Sequence, residues 1–308
     1  MTFNAYVIDI ALMMWILFAL FFLFVSWRYY KAYSRHNLFL QDERYRKAFF
    51  GVELDKYHHT TVYLPGNGNC SSQMAYYTSA GYPSVRTIVN PHPIDPYDVE
   101  RNVLAELLWP IYKIIHCIIR PNFLLQPYYT NPFKINLAQE EDLKHIAKEM
   151  ESIEGDIVIY GCSRGASCSI SVLPYLSEEV LSRVKLVVAE SPFDSVENVI
   201  DFRYPRPLNY LIRLLLKLTK YKANGPSPLS MVPHLPKHIP IVVIASQADE
   251  VVGVKSTMDL TWKLSEHVDR LFIIPLHNSS HGGYTGDNLE DTVHYYEEIT
   301  KIYKEILV

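Results

Sequence analysis

The stretch Asp156-Ile157-Val158-Ile159-Tyr160-Gly161-Cys162-Ser163-Arg164-Gly165-Ala166 decides how the rest of the chain is organised. Residues 156–160 form a short Val/Ile-rich run, the composition of a strand buried on both faces. Gly161, Ser163 and Gly165 follow at once, and residues 165–175 then read as a helix. A serine at the centre of G-x-S-x-G, between a strand and a helix, occupies a sharp turn. Flanking glycines let neighbouring backbone approach without a Cβ in the way. The strained turn projects the hydroxyl from the carboxyl end of the sheet, and the helix start behind it favours negative charge developing there. Cys162 and Cys168 lie off the centre of the turn and read as small packing residues.

Outward from this point the chain alternates between apolar runs and helix-like segments. Strands are predicted at 60–64, 85–89, 156–160, 184–189, 239–245 and 270–274, and helices at 71–79, 137–152, 165–175, 255–267 and 290–306. In the segment 137–152, Leu143, Ile146, Ala147 and Met150 recur at helical spacing with charges opposite. Such alternation predicts an α/β fold with a mostly parallel central sheet and helices on both faces. Two insertions interrupt it. Residues 94–136 contain an apolar run, 107–119, followed by a Pro- and Tyr-rich stretch. Residues 194–237 contain a helical segment, 208–221, bracketed by Pro205, Pro207, Pro226 and Pro228. On its wheel Arg213, Lys217 and Lys220 share one face, and Leu208, Leu211, Ile212, Leu215 and Leu218 another. That pattern fits either a cap helix packed on the core or a basic amphipathic lid on an anionic membrane surface.

A serine hydroxyl is a poor nucleophile unless a base takes its proton, and the order expected around such a turn is serine, acid, histidine. Asp249 fits the acid: it follows the buried run 239–245 in a loop before a helix, with Glu250 and Asp194 as competitors. His281 fits the base, in the polar loop Asn278-Ser279-Ser280-His281-Gly282-Gly283, with His277 as competitor. An oxyanion needs preorganised backbone N–H donors. One is expected from Arg164, the other from Asn67, with Gly66 as neighbour, in the loop after the first strand. Gly66 and Gly68 half-match a dinucleotide-binding fingerprint. Ser71 stands at the third glycine position, however, and the next strand ends in Asn90 rather than an acid. The remaining histidines, among them His58, His59, His92 and His116, lack ligand-like spacing and read as structural.

With 308 residues, 49% hydrophobic and 20% charged, the chain suits one large α/β domain or two small ones. Its 29 basic and 33 acidic side chains create no global field that would hold nucleic acid. Cys70, Cys117, Cys162 and Cys168 are too scattered for a disulfide framework and form no C-x-x-C pair.

The N-terminus differs from the rest. No charged side chain occurs from Ile10 to Trp27, and the apolar character begins at Ala5 with only Asp9 interrupting. As a helix, residues 5–27 would be about 34 Å long, enough to cross a bilayer. The first four residues carry no Lys or Arg, and the bulky run Phe21–Trp27 offers no small-x-small cleavage site, so an uncleaved anchor is expected rather than a signal peptide. Trp27, Tyr29 and Tyr30 would sit at the interface. Arg28, Lys31, Arg35, Arg44, Arg46 and Lys47 follow in a juxtamembrane segment, 28–50, which puts the body, residues 51–308, on the cytoplasmic side.

The glycine-rich loop after a strand, the Gly161–Gly165 turn, the late Asp249 and the later His281-Gly282 occur in this order across residues 51–308. In this the chain resembles the α/β-hydrolase superfamily, in particular its single-pass, membrane-anchored serine hydrolases. Pro65 stands where that family usually has a histidine before its glycine, which leaves the Asn67 amide as donor. The resemblance implies hydrolysis of esters, thioesters, amides or acylglycerols without a cofactor. The expectation is a membrane-anchored serine hydrolase acting on an ester or thioester of a lipid or acylated substrate. Ser163, Asp249 and His281 would be its triad, with Arg164 and Asn67 as oxyanion donors. A catalytically inactive membrane interaction protein and a serine peptidase on the same fold are the alternatives.

Overall fold

The computed structural model describes residues 58–64, 66, 84–88, 140–217, 225–282 and 288–307, with positions 13, 15–17, 19, 20 and 23. The rest of the expected anchor, the segment 28–50, Asn67, the helix 71–79 and the insertion 94–136 lie outside the described residues.

Among the described residues six strands form one sheet: β1 (His59–Leu64), β2 (Ser84–Thr87), β3 (Asp156–Cys162), β4 (Val184–Glu190), β5 (Ile241–Ser246) and β6 (Leu271–Leu276). Their order is β2-β1-β3-β4-β5-β6, and every neighbouring pair is parallel. Among the described residues from 140 onward the α-helices are α1 (Glu140–Met150), α2 (Arg164–Ser171), α3 (Glu178–Arg183), α4 (Val196–Arg203), α5 (Arg206–Lys217), α6 (Pro228–Met231), α7 (Val254–Ser265) and α8 (Leu289–Leu307). This is an α/β fold with a parallel central sheet. Among the described residues no helix is long and apolar enough to cross a membrane.

Successive strand residues feed two cores. Val62, Leu64, Ile157, Ile159, Val187, Ala189, Ile241 and Val243 pack with side chains of α1, α2 and α7 on one face. Tyr63, Val158, Tyr160, Leu186, Val188, Val242 and Ile244 pack under Tyr295, Tyr296, Ile299, Ile302 and Tyr303 of α8 on the other. The continuous apolar runs thus fill both faces at once, as parallel strands require. β6 is different. It is the outer strand on its side of the described sheet, and Ile273 and Pro275 are exposed. Ile241 N–H donates to the Arg270 carbonyl at 3.1 Å and Gln247 N–H to the Leu276 carbonyl at 2.9 Å. Residues 270, 272, 274 and 276 therefore turn their backbone groups to β5, while Pro275 turns away from it.

Element ends follow local chemistry. α2 stops at Ser171 rather than running to residue 175, because Pro174 cannot continue an α-helical ladder; a 3-10 turn, Leu173–Tyr175, follows. β5 starts at Ile241 rather than 239 because Pro240 has no N–H to give; its carbonyl accepts from Val187 N–H at 3.0 Å. The short helices α3 and α4 go beyond the elements predicted from sequence. Ser177 caps α3 by accepting from Val180 N–H, and Ser195 caps α4 by accepting from Asn198 N–H.

The two faces give a direct test of packing. Ile159→Ala, fully buried in β3, should cost about 2–5 kcal/mol, whereas Ile273→Ala, exposed on β6, should change stability by less than about 1 kcal/mol. Urea denaturation of the full chain measures both.

Candidate active site

The turn from β3 into α2 is fixed by a close pass of backbone. A Cβ on Gly161 would lie 2.2 Å from the Gly165 carbonyl oxygen and 2.6 Å from the Ala166 nitrogen. No side chain fits there, so the first glycine of the motif is obligatory. To fold back this tightly the chain takes Ser163 to φ 56° and ψ −116°, a conformation that non-glycine residues rarely adopt. Ser163 N–H donates to the Glu190 carbonyl at 2.7 Å, and the Ser163 carbonyl accepts from Ser167 N–H at 3.1 Å. Ser163 stands at the N-cap of α2, yet its hydroxyl makes no capping bond. Arg164 is the first residue of α2, where backbone N–H groups point off the helix end. Its guanidinium-bearing side chain is buried.

Asp249 follows β5. One carboxylate oxygen accepts from Val251 N–H at 2.8 Å and Val252 N–H at 2.9 Å, and the other meets His281 Nδ1 at 2.7 Å. Burial pulls this carboxyl upward. The His281 hydrogen bond and charge, with the Val252 and Val251 amides, outweigh it and hold the group at about 2. An ionised carboxylate only accepts, so Nδ1 carries the hydrogen between them. Only about a tenth of the His281 side chain is exposed, 11%, and 1% of Asp249's.

The histidine loop is clamped at its base. Asp291, buried in the first turn of α8, accepts from His277 N–H at 3.1 Å, Asn278 N–H at 2.7 Å and Ser279 N–H at 2.7 Å. Burial raises the Asp291 carboxyl, but these amides prevail and leave it below the ordinary carboxylate value. Ser246 Oγ also donates to the Ser279 carbonyl. The loop then reaches the elbow: a Cβ on Gly282 would lie 3.7 Å from Cys162 Sγ and 3.8 Å from Glu190 Oε1. The residue after His281 thus abuts the residue before Ser163.

Glu190 joins these parts. It is buried at the end of β4, its carbonyl holds Ser163 N–H, and its carboxylate accepts from Tyr160 OH at 3.4 Å. Tyr160 OH in turn lies 3.0 Å from Tyr295 OH of α8. Burial, then the Glu190 charge and hydrogen bond, push the Cys162 thiol well up, and burial pushes Cys168 up to about 12. Neither thiol is activated as a nucleophile.

The structure therefore brings Ser163, Arg164, Asp249 and His281 to one end of the sheet. Leu64 pairs with Gly161, so the chain leaves β1 beside the elbow, and Gly66 is buried there; Asn67 lies outside the described residues. The competing residues are used elsewhere. Asp194 accepts from Ser195 N–H at 2.6 Å, Asn198 Nδ2 and Ser256 Oγ, tying the start of α4 to α7. Glu250 and His277 are exposed. His59 is packed against Thr61 and the Tyr303 ring. Among the described residues no group of three His, Cys, Asp or Glu is placed to hold a metal ion. Sequence reasoning missed Glu190 and Asp291. A lone acid closing an otherwise apolar strand was the available signal for Glu190. No such signal marks Asp291, whose sequence context is that of an ordinary acid in the first turn of a helix.

No protein-family model and no curated protein matches the chain. Solved structures similar to it include the Pyrococcus furiosus esterase Pf2001, 11% identical with a TM-score of 0.47, over 82% of this chain and 85% of that one. A Pyrococcus horikoshii acylaminoacyl peptidase is 11% identical with a TM-score of 0.48, over 81% of this chain and 37% of the peptidase. Est1E from Butyrivibrio proteoclasticus is 10% identical with a TM-score of 0.44, over 80% of this chain and 88% of that one.

The two clamping carboxylates can be tested separately. Because Asp249 is depressed from 3.8 to about 2, its stabilisation of about 2 kcal/mol is complete above pH 4 and lost as pH falls through 2. Asp249→Asn should lower stability by that amount at neutral pH, and the gap from wild type should close between pH 4 and 2 in urea titrations. Asp291→Ala leaves buried amides without acceptors. It should cost about 3 kcal/mol and speed hydrogen exchange at residues 277–279 ahead of the sheet.

Proposed function

We propose that this chain is a serine hydrolase that cleaves ester or thioester bonds of lipid or acylated substrates. The observation that carries the reading is the pairing of ionised Asp249 with His281 Nδ1 on a loop that abuts Cys162, the residue before an uncapped, positive-φ Ser163. In this scheme His281 Nε2 takes the hydroxyl proton as Ser163 Oγ attacks the carbonyl carbon, and Asp249 stabilises the imidazolium that forms. The negative charge on the tetrahedral oxygen meets the Arg164 N–H at the start of α2 and the Asn67 N–H, each donor supplying on the order of 3 kcal/mol of barrier lowering. Collapse expels the alcohol or thiol, which receives the proton from His281. Water then attacks the acyl-serine with the same histidine as base and releases the acid. The cycle uses no cofactor.

The lipidic substrate and a membrane setting are part of the same proposal. Residues 5–27 serve as the anchor, the basic segment 28–50 keeps the body on the cytoplasmic side, and no nucleic acid is involved. Support comes from the N-terminal positions that are described: Met13, Trp15, Ile16, Leu17, Leu20 and Leu23 are helical, apolar and exposed. Large apolar side chains presented together to the outside suit lipid better than water.

Fluorophosphonate labelling tests the chemistry. Wild type should label covalently, while Ser163→Ala should not label and should lose at least about a thousandfold in kcat on a short-chain ester. An active preparation that resists the probe, or a Ser163→Ala variant that labels like wild type, would overturn the reading.

A further inference from the structure

The insertion after β4 is anchored on one side and bare on the other. Asp201 of α4 accepts from Asn209 Nδ2 and, at 2.7 Å, from Arg213 Nη2, while Arg213 Nε donates to Asn209 Oδ1 at 2.7 Å. This knot pins α5 to α4. Leu208, Ile212 and Leu216 turn inward and are half-buried. The opposite face of α5 is not polar. Tyr210 is 75% exposed, Leu214 57% and Leu211 45%, with Phe202 of α4 at 55%. The leucine face read from the wheel is thus split, and Leu211 belongs to the outside. An ordinary cap helix would bury its apolar face and show charge to water.

Charge says what covers this face. From Asp201 to Lys222 the sequence has Arg203, Arg206, Arg213, Lys217, Lys220 and Lys222 against one acid. That acid, Asp201, is held by Asn209 and Arg213, which keep its carboxyl below the ordinary value. An exposed apolar face in a segment this basic in sequence is what an anionic lipid surface accepts: rings and leucines enter the acyl boundary while cations meet headgroups. We infer that the outer face of α5, with Phe202, docks on an anionic phospholipid bilayer. The docking deepens the membrane association proposed for the chain and rests on it.

The same surface adjoins the active site. The Phe202 ring lies over Gly253, at φ 80°, where a Cβ would come within 3.0 Å of three ring atoms. Val196 and Val199 of α4 pack on Phe193, Val251 and Val252, next to Asp249. Docking on lipid therefore sets the catalytic acid's loop beside the bilayer, where a membrane-resident acyl substrate would be met.

The test uses the full chain in nanodiscs of phosphatidylcholine alone or with phosphatidylserine, read by hydrogen exchange. Amides of residues 208–217 should exchange at least about tenfold more slowly with phosphatidylserine present. Tyr210→Ser/Leu214→Ser and Arg206→Glu/Lys217→Glu should each abolish that protection while leaving short-chain ester hydrolysis unchanged. A chain that joins the discs but exchanges alike in both lipids removes the docking alone. A chain that joins neither disc removes the membrane association and the docking with it. Protection that grows with protein concentration in lipid-free detergent assigns the face to a second copy and overturns the proposal. Protection without hydrolysis of any ester upholds the docking and overturns the hydrolase reading.

Discussion

The space at residue 161 governs what the rest of the site can be. The first turn of α2 passes so close to the end of β3 that only a hydrogen fits on Gly161. That approach forces the chain through Ser163 at a positive φ, a strain worth about 1–3 kcal/mol. Neighbouring bonds hold it. Glu190 takes the Ser163 N–H, and Ser167 Oγ receives the Phe193 N–H at 3.0 Å, tying α2 to the chain beyond β4. The consequence shows against the other serines at helix starts. Ser177, Ser195 and Ser227 have extended backbone and direct their hydroxyls to helix N–H groups. Ser163 does not, and its oxygen is left for other chemistry.

Buried carboxylates then organise the approach of the base. Asp249 divides its oxygens between its own loop and the imidazole, so loop shape and ring orientation are set by one group. Asp291 holds the other end of the histidine loop through its backbone amides. Glu190 stands between them beneath the elbow, linked through Tyr160 to α8. Asp249 and Asp291 each take several donors, the condition for burying such a group without a large penalty.

What could be seen in the sequence was whatever depends on neighbours in the chain. Gly161, Ser163 and Gly165 declare the turn because backbone geometry restricts which residues can occupy it. The buried strands declare themselves because both faces are apolar. Asp249 and His281 were reached by order and loop context, although Glu250 and His277 have similar settings; exposure separates them, and exposure is a property of the fold. Glu190 and Asp291 act across long separations in sequence, the latter from α8 on a loop following β6, and no local pattern marks that. The caps Ser177 and Ser195 were local and could have been found: each is followed within two residues by Glu in a first turn. The wheel of α5 gave the amphipathicity, but only packing assigned Leu208 and Ile212 to the inside and Leu211 to the outside.

Pro275 has a further consequence for a protein with this much apolar strand. Lying on the outer side of β6, its ring replaces an N–H that would otherwise face outward, yet removes none from the pairing with β5. A second polypeptide trying to extend the sheet alongside Ile273 would find a missing donor and a bulky ring. Natural sheets use such interruptions against strand addition, and here the guard sits where extended backbone beside an exposed β-branched side chain would invite self-assembly into fibrils.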